Sequence, residues 1–242
     1  MLLRILRRIH RRAFAPKTTL DPFDLRHGVD TSGLIDARGL ESGHPHDRHS
    51  ASYWGTAPSL FQGSIARWIE SLSDSPYPLS DFTLIDVGCG KGRVLMLASD
   101  LPFRAIVGVE LSLSLASIAQ TNLAKWNRSP HICKNVSVLN ADALAIPVPD
   151  SPMLVYLFNP FDAHVTQLLL DRLQALAAKR SSPIDFIYTR PEHAQLFAQV
   201  PDMQLLWDGD IPFSAEDIAA DVFHGTAQRC AIYRLPAASL PS

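Results

Sequence analysis

Residues 82–93, Phe-Thr-Leu-Ile-Asp-Val-Gly-Cys-Gly-Lys-Gly-Arg, constrain the fold more than any other stretch of this chain. A run of apolar and β-branched residues leads into Asp86, and glycines follow at 88, 90 and 92. The run predicts a buried strand. The alternating glycines predict a loop in which another group approaches the main chain closely, because a Cβ would collide there. A helix that follows such a loop directs its free N–H groups toward a bound ligand.

The spacing of the glycines separates three classes of ligand that bind at such a turn, namely dinucleotides, nucleoside triphosphates and S-adenosylmethionine. A dinucleotide site has the pattern G-x-G-x-x-G, and Arg93 stands where its third glycine would be. A phosphate-binding loop has the pattern G-x-x-x-x-G-K followed by Ser or Thr, and the segment does not fit it. What remains is an acid followed by three glycines at alternate positions.

Strand and helix signals alternate after residue 58, which predicts a mostly parallel sheet with helices on both faces. A helix is predicted over 59–72. Further helices are predicted at Val94–Ser99, Leu113–Trp126, Ala163–Ala178 and Glu192–Gln199. Strands are predicted at Phe82–Val87, Ala105–Glu110, Val136–Leu139, Met153–Phe158, Ile184–Thr189, Met203–Trp207 and Arg229–Leu235. In such a sheet ligands bind beyond the carboxyl ends of the strands.

Polar residues stand at three more strand ends. Glu110 ends the second strand, where a carboxylate can accept hydrogen bonds from both hydroxyls of a ribose. The third strand runs into Asn140-Ala141-Asp142, and an acid there can accept the exocyclic amino group of adenine. The fourth runs into Asn159-Pro160-Phe161. The Asn159 carbonyl can accept a hydrogen from a target amine, and Phe161 can form a wall of the pocket.

In order, type and spacing these four motifs resemble the class I methyltransferases that depend on S-adenosylmethionine, over roughly residues 58–235. The resemblance implies a Rossmann-like, doubly wound sheet of seven strands whose last strand is antiparallel. It implies S-adenosylmethionine as cofactor and an unidentified methyl acceptor, with Asn159, Pro160 and Phe161 as the catalytic end of the site. The cofactor-binding positions that it implies are Asp86, Gly88, Cys89, Gly90, Gly92, Glu110, Leu111, Ala141, Asp142 and Asn159.

Two further likenesses bear on the substrate. The Asn159 region is similar to the motif of amino-directed methyltransferases, in which Asp or Asn is followed by two prolines and an aromatic residue. This similarity slightly favours a nitrogen target. The Asn159 region lacks the second proline. The chain is most similar to uncharacterised bacterial members that combine a Phe23–Gly33 segment of this kind with a Gly-Lys-Gly-Arg loop and an Asn-Pro-Phe motif. That group supplies no substrate.

We predict three parts of the chain: a cationic amphipathic helix at 1–15, a loop-rich segment at 16–57 and a methyltransferase domain at 58–242. Residues 17–57 lack periodicity and are predicted to be loop. This loop is either a lid over the site, with Thr31 and Tyr53 as polar contacts, or a solvated connector. On a helical wheel of about 100° per residue the arginines of 1–12 oppose the apolar side chains. The arginines are Arg4, Arg7, Arg8, Arg11 and Arg12.

The arginine helix is open to two interpretations. It contacts an anionic membrane surface or an acidic partner, or it packs on its own domain. A net charge of −2 gives no strong signal for nucleic acid. Three scattered cysteines indicate a reducing compartment, and no apolar run is long enough to span a membrane. We therefore expect a cytoplasmic protein, with peripheral membrane attachment as one hypothesis.

The sequence leaves three other questions open. His44, His46 and His49 suggest a zinc site, but runs of histidine are usually solvated and no cysteine accompanies them, so we expect no metal. A non-catalytic subunit that retains the cofactor pocket and docks through the arginine helix is one alternative to an enzyme. A nicotinamide-dependent oxidoreductase is the other, and Arg93 argues against it.

Overall fold

The computed structural model describes residues 21–40, 42–126, 130–220 and 225–238, so the predicted helix at 1–15 lies outside the described residues. The described helices are α1 Pro22–His27, α2 Pro58–Glu70, α3 Arg93–Ser99, α4 Leu113–Trp126, α5 Ala163–Ala177, α6 Ala194–Phe197 and α7 Ala215–Ala220. The described strands are β1 Leu34–Ile35, β2 Tyr53–Trp54, β3 Thr83–Val87, β4 Ala105–Glu110, β5 Val136–Asn140, β6 Met153–Phe158, β7 Ile184–Thr189, β8 Gln204–Pro212 and β9 Ala227–Leu235.

Seven of these strands form one sheet in the order β5-β4-β3-β6-β7-β9-β8. The strand before the glycine loop, β3, lies near the middle and pairs in parallel with β4 and β6. The last strand, β9, lies antiparallel between β7 and β8. The predicted fold class is therefore confirmed, a Rossmann-like sheet of seven mostly parallel strands with an antiparallel final strand.

The core lies on both faces of this sheet, which explains why its central strands read as continuous apolar runs. Alternate residues of β3 belong to opposite faces: Leu84 packs on one and Ile85 on the other. Helices α2, α3 and α4 supply the first face, and α5 and α6 supply the second. All five residues of β3 are buried, so the acid at its end is carried into the interior.

Two predicted elements at the end of the chain had wrong bounds. The strand predicted at Met203–Trp207 continues to Pro212, because Asp208 to Pro212 pair along β9 although Asp and Gly are poor strand formers. The helix predicted at Glu192–Gln199 is a single turn, α6, and Pro201 follows it closely.

The prediction of an unstructured loop at 17–57 was wrong in part. The Asp21 carboxylate caps α1 by accepting the backbone N–H groups of Phe23 and Asp24, and Gly28, with φ of 67°, ends this helix. Strand β1 pairs antiparallel with β2. These elements are too short to show hydrophobic periodicity. The only local indications of α1 are Asp21-Pro22 at its start and Gly28 at its end.

Candidate functional site

A cavity opens at the carboxyl ends of β3, β4, β5 and β6, and the N-terminal segment faces it with Leu40, His46, Asp47 and residues 50–56. Most of the predicted site residues lie in its wall. These are Tyr53, Asp86, Gly88, Cys89, Glu110, Leu111, Ala141, Asp142, Pro160 and Phe161. The described wall does not include Thr31, Gly90, Gly92 or Asn159.

Asp86 is a buried carboxylate with one unsatisfied oxygen. The residue is 3 % exposed, and among the described residues no hydrogen-bond partner reaches its Oδ2. Burial, and then the charge of nearby Glu110, raise the pKa of Asp86 well above its usual range. An unpaired buried carboxylate is costly, so a cationic group in the cavity is the partner that would satisfy it.

Glu110 is held at the end of β4 by the backbone of two neighbouring loops. Its Oε2 accepts the N–H of Gly90 at 2.9 Å, and its Oε1 accepts the N–H of Ser112 at 2.8 Å. Burial raises the pKa of Glu110, and these backbone bonds oppose that shift. Each carboxylate oxygen can still accept a second hydrogen bond. The site therefore presents two fixed, adjacent acceptors, which suits a pair of neighbouring hydroxyls.

The glycines of the loop make room for other parts of the protein. Gly88 and Gly90 have φ of 76° and 54°, a region that favours glycine. A Cβ on Gly88 would lie 2.7 Å from the Cβ of Pro160, and one on Gly90 would overlap the ring of Tyr53. Pro160 and Tyr53 therefore occupy the space that a side chain would need at these two glycines, and the loop reaches the cavity through Gly88 and Cys89.

Asn159 is not among the described residues that line the cavity. Its φ is 43°, which asparagine tolerates better than most residues. Its Oδ1 accepts the hydroxyl of Tyr188 in β7 at 2.8 Å. Burial raises the pKa of Tyr188 to about 12, so this hydroxyl stays a donor at neutral pH. The amide that the sequence aims at a methyl acceptor is thus bound to the protein, while Pro160 and Phe161 line the cavity.

Asp142 lies at the cavity wall after β5 and is already engaged by three groups. Its Oδ1 accepts the N–H of Leu144 at 2.7 Å. Its Oδ2 lies 2.7 Å from Nδ1 of His46 and 3.5 Å from Nε2 of His44. The beginning of this turn is held by Ala141, whose N–H donates to the Glu110 carbonyl at 3.1 Å.

Arg93, which the sequence used only to exclude a dinucleotide, is a buried cation in the cavity wall. Its Nε donates to Oγ1 of Thr31 at 2.6 Å, its Nη1 to the Thr56 carbonyl at 3.3 Å and its Nη2 to Oδ2 of Asp21 at 2.9 Å. Its guanidinium also lies over the ring of Phe23. One side chain therefore fixes both ends of the N-terminal segment beside the cavity.

Lys91 makes the second set of contacts to the same segment. Its Nζ donates to Oδ1 of Asp30 at 2.7 Å and to the carbonyl of Ser32 at 2.8 Å. Asn122 of α4 joins the two parts by donating to the carbonyls of Asp30 and Lys91. The Phe23–Gly33 segment and the Gly-Lys-Gly-Arg loop, which the sequence showed as separate features, are two sides of one contact.

Sequence reasoning missed Arg93 and His46 in the wall, and it gave no packing role to Gly92. A Cβ on Gly92 would lie 3.2 Å from the Cβ of Ala119, so this glycine lets α3 approach α4 closely. The signal that could have found Arg93 was the presence of an arginine directly after a buried glycine loop. A buried arginine requires acidic partners. Those partners lay in the segment predicted to be loop.

The seven-stranded sheet has the Rossmann-like fold of S-adenosylmethionine-dependent methyltransferases. Residues 84–183 match the family model described as a methyltransferase domain, so this part of the chain is a methyltransferase domain and the protein is an enzyme of that class. S-adenosylmethionine is its cofactor. The match removes the oxidoreductase alternative. Among the curated proteins that we searched, none matches the sequence.

Solved structures share the fold at low sequence identity. The 4+2 cyclase SpnF superposes with a TM-score of 0.51 and 16 % identity, covering 83 % of this chain and 90 % of that one. Magnesium protoporphyrin IX methyltransferase from Synechocystis PCC 6803, solved with bound S-adenosylmethionine, has a TM-score of 0.46 and 12 % identity, with 73 % and 79 % covered. The YcgJ protein of Bacillus subtilis has a TM-score of 0.48 and 10 % identity, with 74 % and 99 % covered.

No helix among the described residues is long and apolar enough to cross a membrane.

Proposed function

We propose that this enzyme transfers the methyl group of S-adenosylmethionine to an acceptor that enters the cavity beside Pro160 and Phe161. The observation that carries the proposal is the unsatisfied Oδ2 of Asp86, buried in the cavity wall. S-adenosylmethionine carries an ammonium and a sulfonium group, and either positive charge could be the partner that this carboxylate lacks. The second acid, Glu110, adds to the same negative field.

We propose that each strand end holds one part of the cofactor. Glu110 accepts both ribose hydroxyls, since its two oxygens are already fixed side by side. Asp142, with Ala141, receives the adenine edge. Asp86 takes the methionine ammonium, and Arg93 takes the methionine carboxylate, because an acid and a guanidinium in one wall complement a zwitterion. The main chain of Gly88 and Cys89, with Leu111, borders the sugar and the methionine; Gly90 and Gly92 support that loop.

The cofactor supplies a methyl group that is already activated by the positive charge on sulfur. The residues of this chain therefore need only to bind, orient and exclude water. Tyr53 covers the glycine loop, and its Oη donates to the Thr31 carbonyl at 2.6 Å, so both proposed lid residues hold the segment closed over the cavity. Loss of the sulfonium charge on transfer weakens attraction to Asp86 and Glu110, which favours release of the neutral sulfur product.

Calorimetry with S-adenosylmethionine and S-adenosylhomocysteine tests the cofactor site. We expect both to bind, and Asp86→Asn and Glu110→Ala to weaken S-adenosylmethionine strongly. Asp100→Asn, a surface acid, is the matched control and should bind like the wild type. Wild-type protein that fails to bind at millimolar cofactor would refute the proposal.

We propose a nitrogen acceptor, on a protein side chain or a small molecule, from the likeness of the Asn159–Phe161 segment to amino-directed enzymes. The experiment is incubation of labelled cofactor with fractionated cell extract, followed by separation of small-molecule from protein-bound label and identification of the methylated atom. Label on oxygen or carbon alone would reject the nitrogen target. The same assay tests the docking-subunit alternative, which predicts cofactor binding without turnover; SpnF shows that this fold also carries other chemistry.

We further propose that the methyltransferase unit begins before residue 58, because Lys91 and Arg93 hold residues 21–56 to it through buried bonds. Outside that unit, we propose that the arginine-rich residues 1–15, which lie outside the described part of the chain, bind an anionic membrane surface or an acidic partner. Sedimentation with anionic vesicles tests this, with a chain that starts at Pro16 as the control. Equal sedimentation of both chains would refute membrane binding.

A further inference from the structure

We propose that His44, His46 and Asp142 form a site for a divalent transition metal ion, zinc above all, beside the cofactor cavity. Among the described residues these three offer ligand atoms that all lie within 4.8 Å of one another. His46 and Asp142 also belong to the cavity wall. The inference rests on this cluster and not on methyl transfer, although it shares Asp142 with the proposed adenine contact.

The separations suit a tetrahedral ion. With bonds of about 2.0–2.1 Å to nitrogen and oxygen, neighbouring ligand atoms of a zinc tetrahedron lie about 3.3 Å apart. The observed distances from Asp142 Oδ2 are 3.5 Å to His44 Nε2 and 2.7 Å to His46 Nδ1. The first distance matches the tetrahedral separation, and the second has to lengthen by about 0.6 Å when an ion binds. Three protein ligands leave a fourth position for water, as in sites where the ion remains accessible.

The composition of the cluster selects the class of ion. Two imidazoles and one carboxylate suit zinc and the neighbouring transition metals, whereas calcium and magnesium prefer oxygen ligands alone. The side chains are 38 %, 23 % and 18 % exposed for His44, His46 and Asp142, so an ion can reach them from solvent.

The loop that carries the two histidines is organised before any ion binds. The Asp47 carboxylate accepts the N–H groups of Ser42, Gly43 and His44 at 2.7–3.0 Å. Pro45 separates the histidines and restricts the backbone between them. On the other side, Leu144 N–H fixes the Asp142 carboxylate at 2.7 Å, the kind of outer bond that orients a metal ligand.

Binding requires each imidazole to carry its proton on the nitrogen away from the ion. For His46 the proton moves from Nδ1 to Nε2. For His44 it moves to Nδ1, and the bond that this atom accepts from the His46 N–H is lost. The bound ion then replaces the direct contacts of both imidazole rings with the Asp142 carboxylate. The proposal departs from the expectation of no metal. It also changes the ligands that the sequence suggested, since His49 pairs with Asp162 and Asp142 takes its place.

The test is calorimetric titration of chelator-treated, full-length protein with zinc chloride, with no cofactor present. We expect one ion per chain, and at least a tenfold loss of affinity in His44→Ala, His46→Ala and Asp142→Asn. His131→Ala removes a histidine from a comparable pair, 2.7 Å from Asp100, and should bind zinc like the wild type.

Absence of stoichiometric binding would overturn the site, and so would unchanged affinity in His46→Ala. Circular dichroism of each variant shows that a lost ion does not reflect lost folding; if His46→Ala is unfolded, His46→Gln and its titration take its place. Because cofactor binding is measured separately in the presence of chelator, failure of this site and failure of the proposed methyl transfer are distinguishable.

Discussion

Arg93 Nε donates to Thr31 Oγ1 at 2.6 Å, a bond between the glycine loop and a residue 62 positions earlier in the chain. Both residues are buried, with Thr31 fully inaccessible to solvent. Thr31 in turn bonds to Asp24, whose carboxylate also accepts the N–H groups of Thr31 and Ser32 at 2.8 Å. The N-terminal segment is thus part of the folded wall of the site and more than a cover over it.

The first prediction follows from the burial of this ion pair. Replacing Arg93 by Ala leaves the carboxylates of Asp21 and Asp24 partly buried without their cation, and breaking such a pair costs about 3–5 kcal/mol of unfolding free energy. Chemical denaturation measures the loss. Arg38→Ala, which removes an exposed arginine paired with Asp36, should leave stability unchanged. Equal stabilities of the two variants would contradict the role of Arg93.

The sequence predicted the sheet well and the N-terminal segment poorly, for a physical reason. The bounds of β4, β6, β7 and α4 agree with the predicted ones, because long buried runs and a helical apolar face carry their own signal. The segment before residue 58 is stabilised by contacts of Thr31 and Tyr53 to distant residues. Such tertiary bonds have no local pattern, so neither α1 nor the pairing of β1 with β2 was predicted.

The same distinction holds at the site. Asp86 and Glu110 were predicted to lie at the ligand-binding edge of the sheet, beyond the carboxyl ends of their strands, and both line the cavity. The direction in which a side chain points beyond the strand end, by contrast, depends on the residue to which it bonds, and the local sequence does not show that residue. Asn159 bonds to Tyr188 and is not among the wall residues, and the histidines engage Asp142; only the folded chain reveals these contacts.

The second prediction concerns the contact of Gly90 with Tyr53. Gly90→Ala places a methyl group into the tyrosine ring and also forces alanine into φ of 54°. The strain alone costs roughly 1–2 kcal/mol, and the overlap adds to it. In a Tyr53→Ala background only the strain remains, so the double-mutant cycle should show coupling of about 1–3 kcal/mol. Chemical denaturation of the four proteins measures it.

Gly43→Ala is the matched control for this cycle. Gly43 has φ of 82° but nothing within 4 Å of its added Cβ. It should lose stability through strain alone, with no coupling to Tyr53. If Gly90→Ala and Gly43→Ala lose equal stability, the close approach of Tyr53 is unimportant.

The third prediction is a pH dependence set by Asp86 and Glu110. Burial raises the pKa of both carboxylates. At pH values above the ordinary carboxylate pKa, the folded cofactor-free protein therefore binds more protons than the unfolded chain. Their contribution to stability is complete below their unfolded pKa values, about 4, and falls as pH rises through the raised ones. The cationic cofactor binds the ionised form, so its stabilising effect should grow over the same range.

Thermal unfolding against pH, with and without S-adenosylmethionine, measures this effect. Asp86→Asn cannot ionise and should flatten both the fall in stability of the free protein and the gain on cofactor binding. An Asp86→Asn protein with the wild-type pH profile would show that other groups are responsible.

The fourth prediction separates a direct from an indirect role of Asn159. Because its Oδ1 is bound to the Tyr188 hydroxyl, we expect the amide to position the Pro160–Phe161 turn at the cavity wall. Asn159→Gly keeps the backbone conformation and loses the bond, and Tyr188→Phe loses the same bond from the other side. Both should slow methyl transfer to a similar extent, with cofactor affinity unchanged. Single-turnover transfer to the acceptor identified in extract, together with calorimetry of the cofactor, measures the two quantities. A slow Asn159→Gly beside a fully active Tyr188→Phe would instead place the amide in contact with the acceptor.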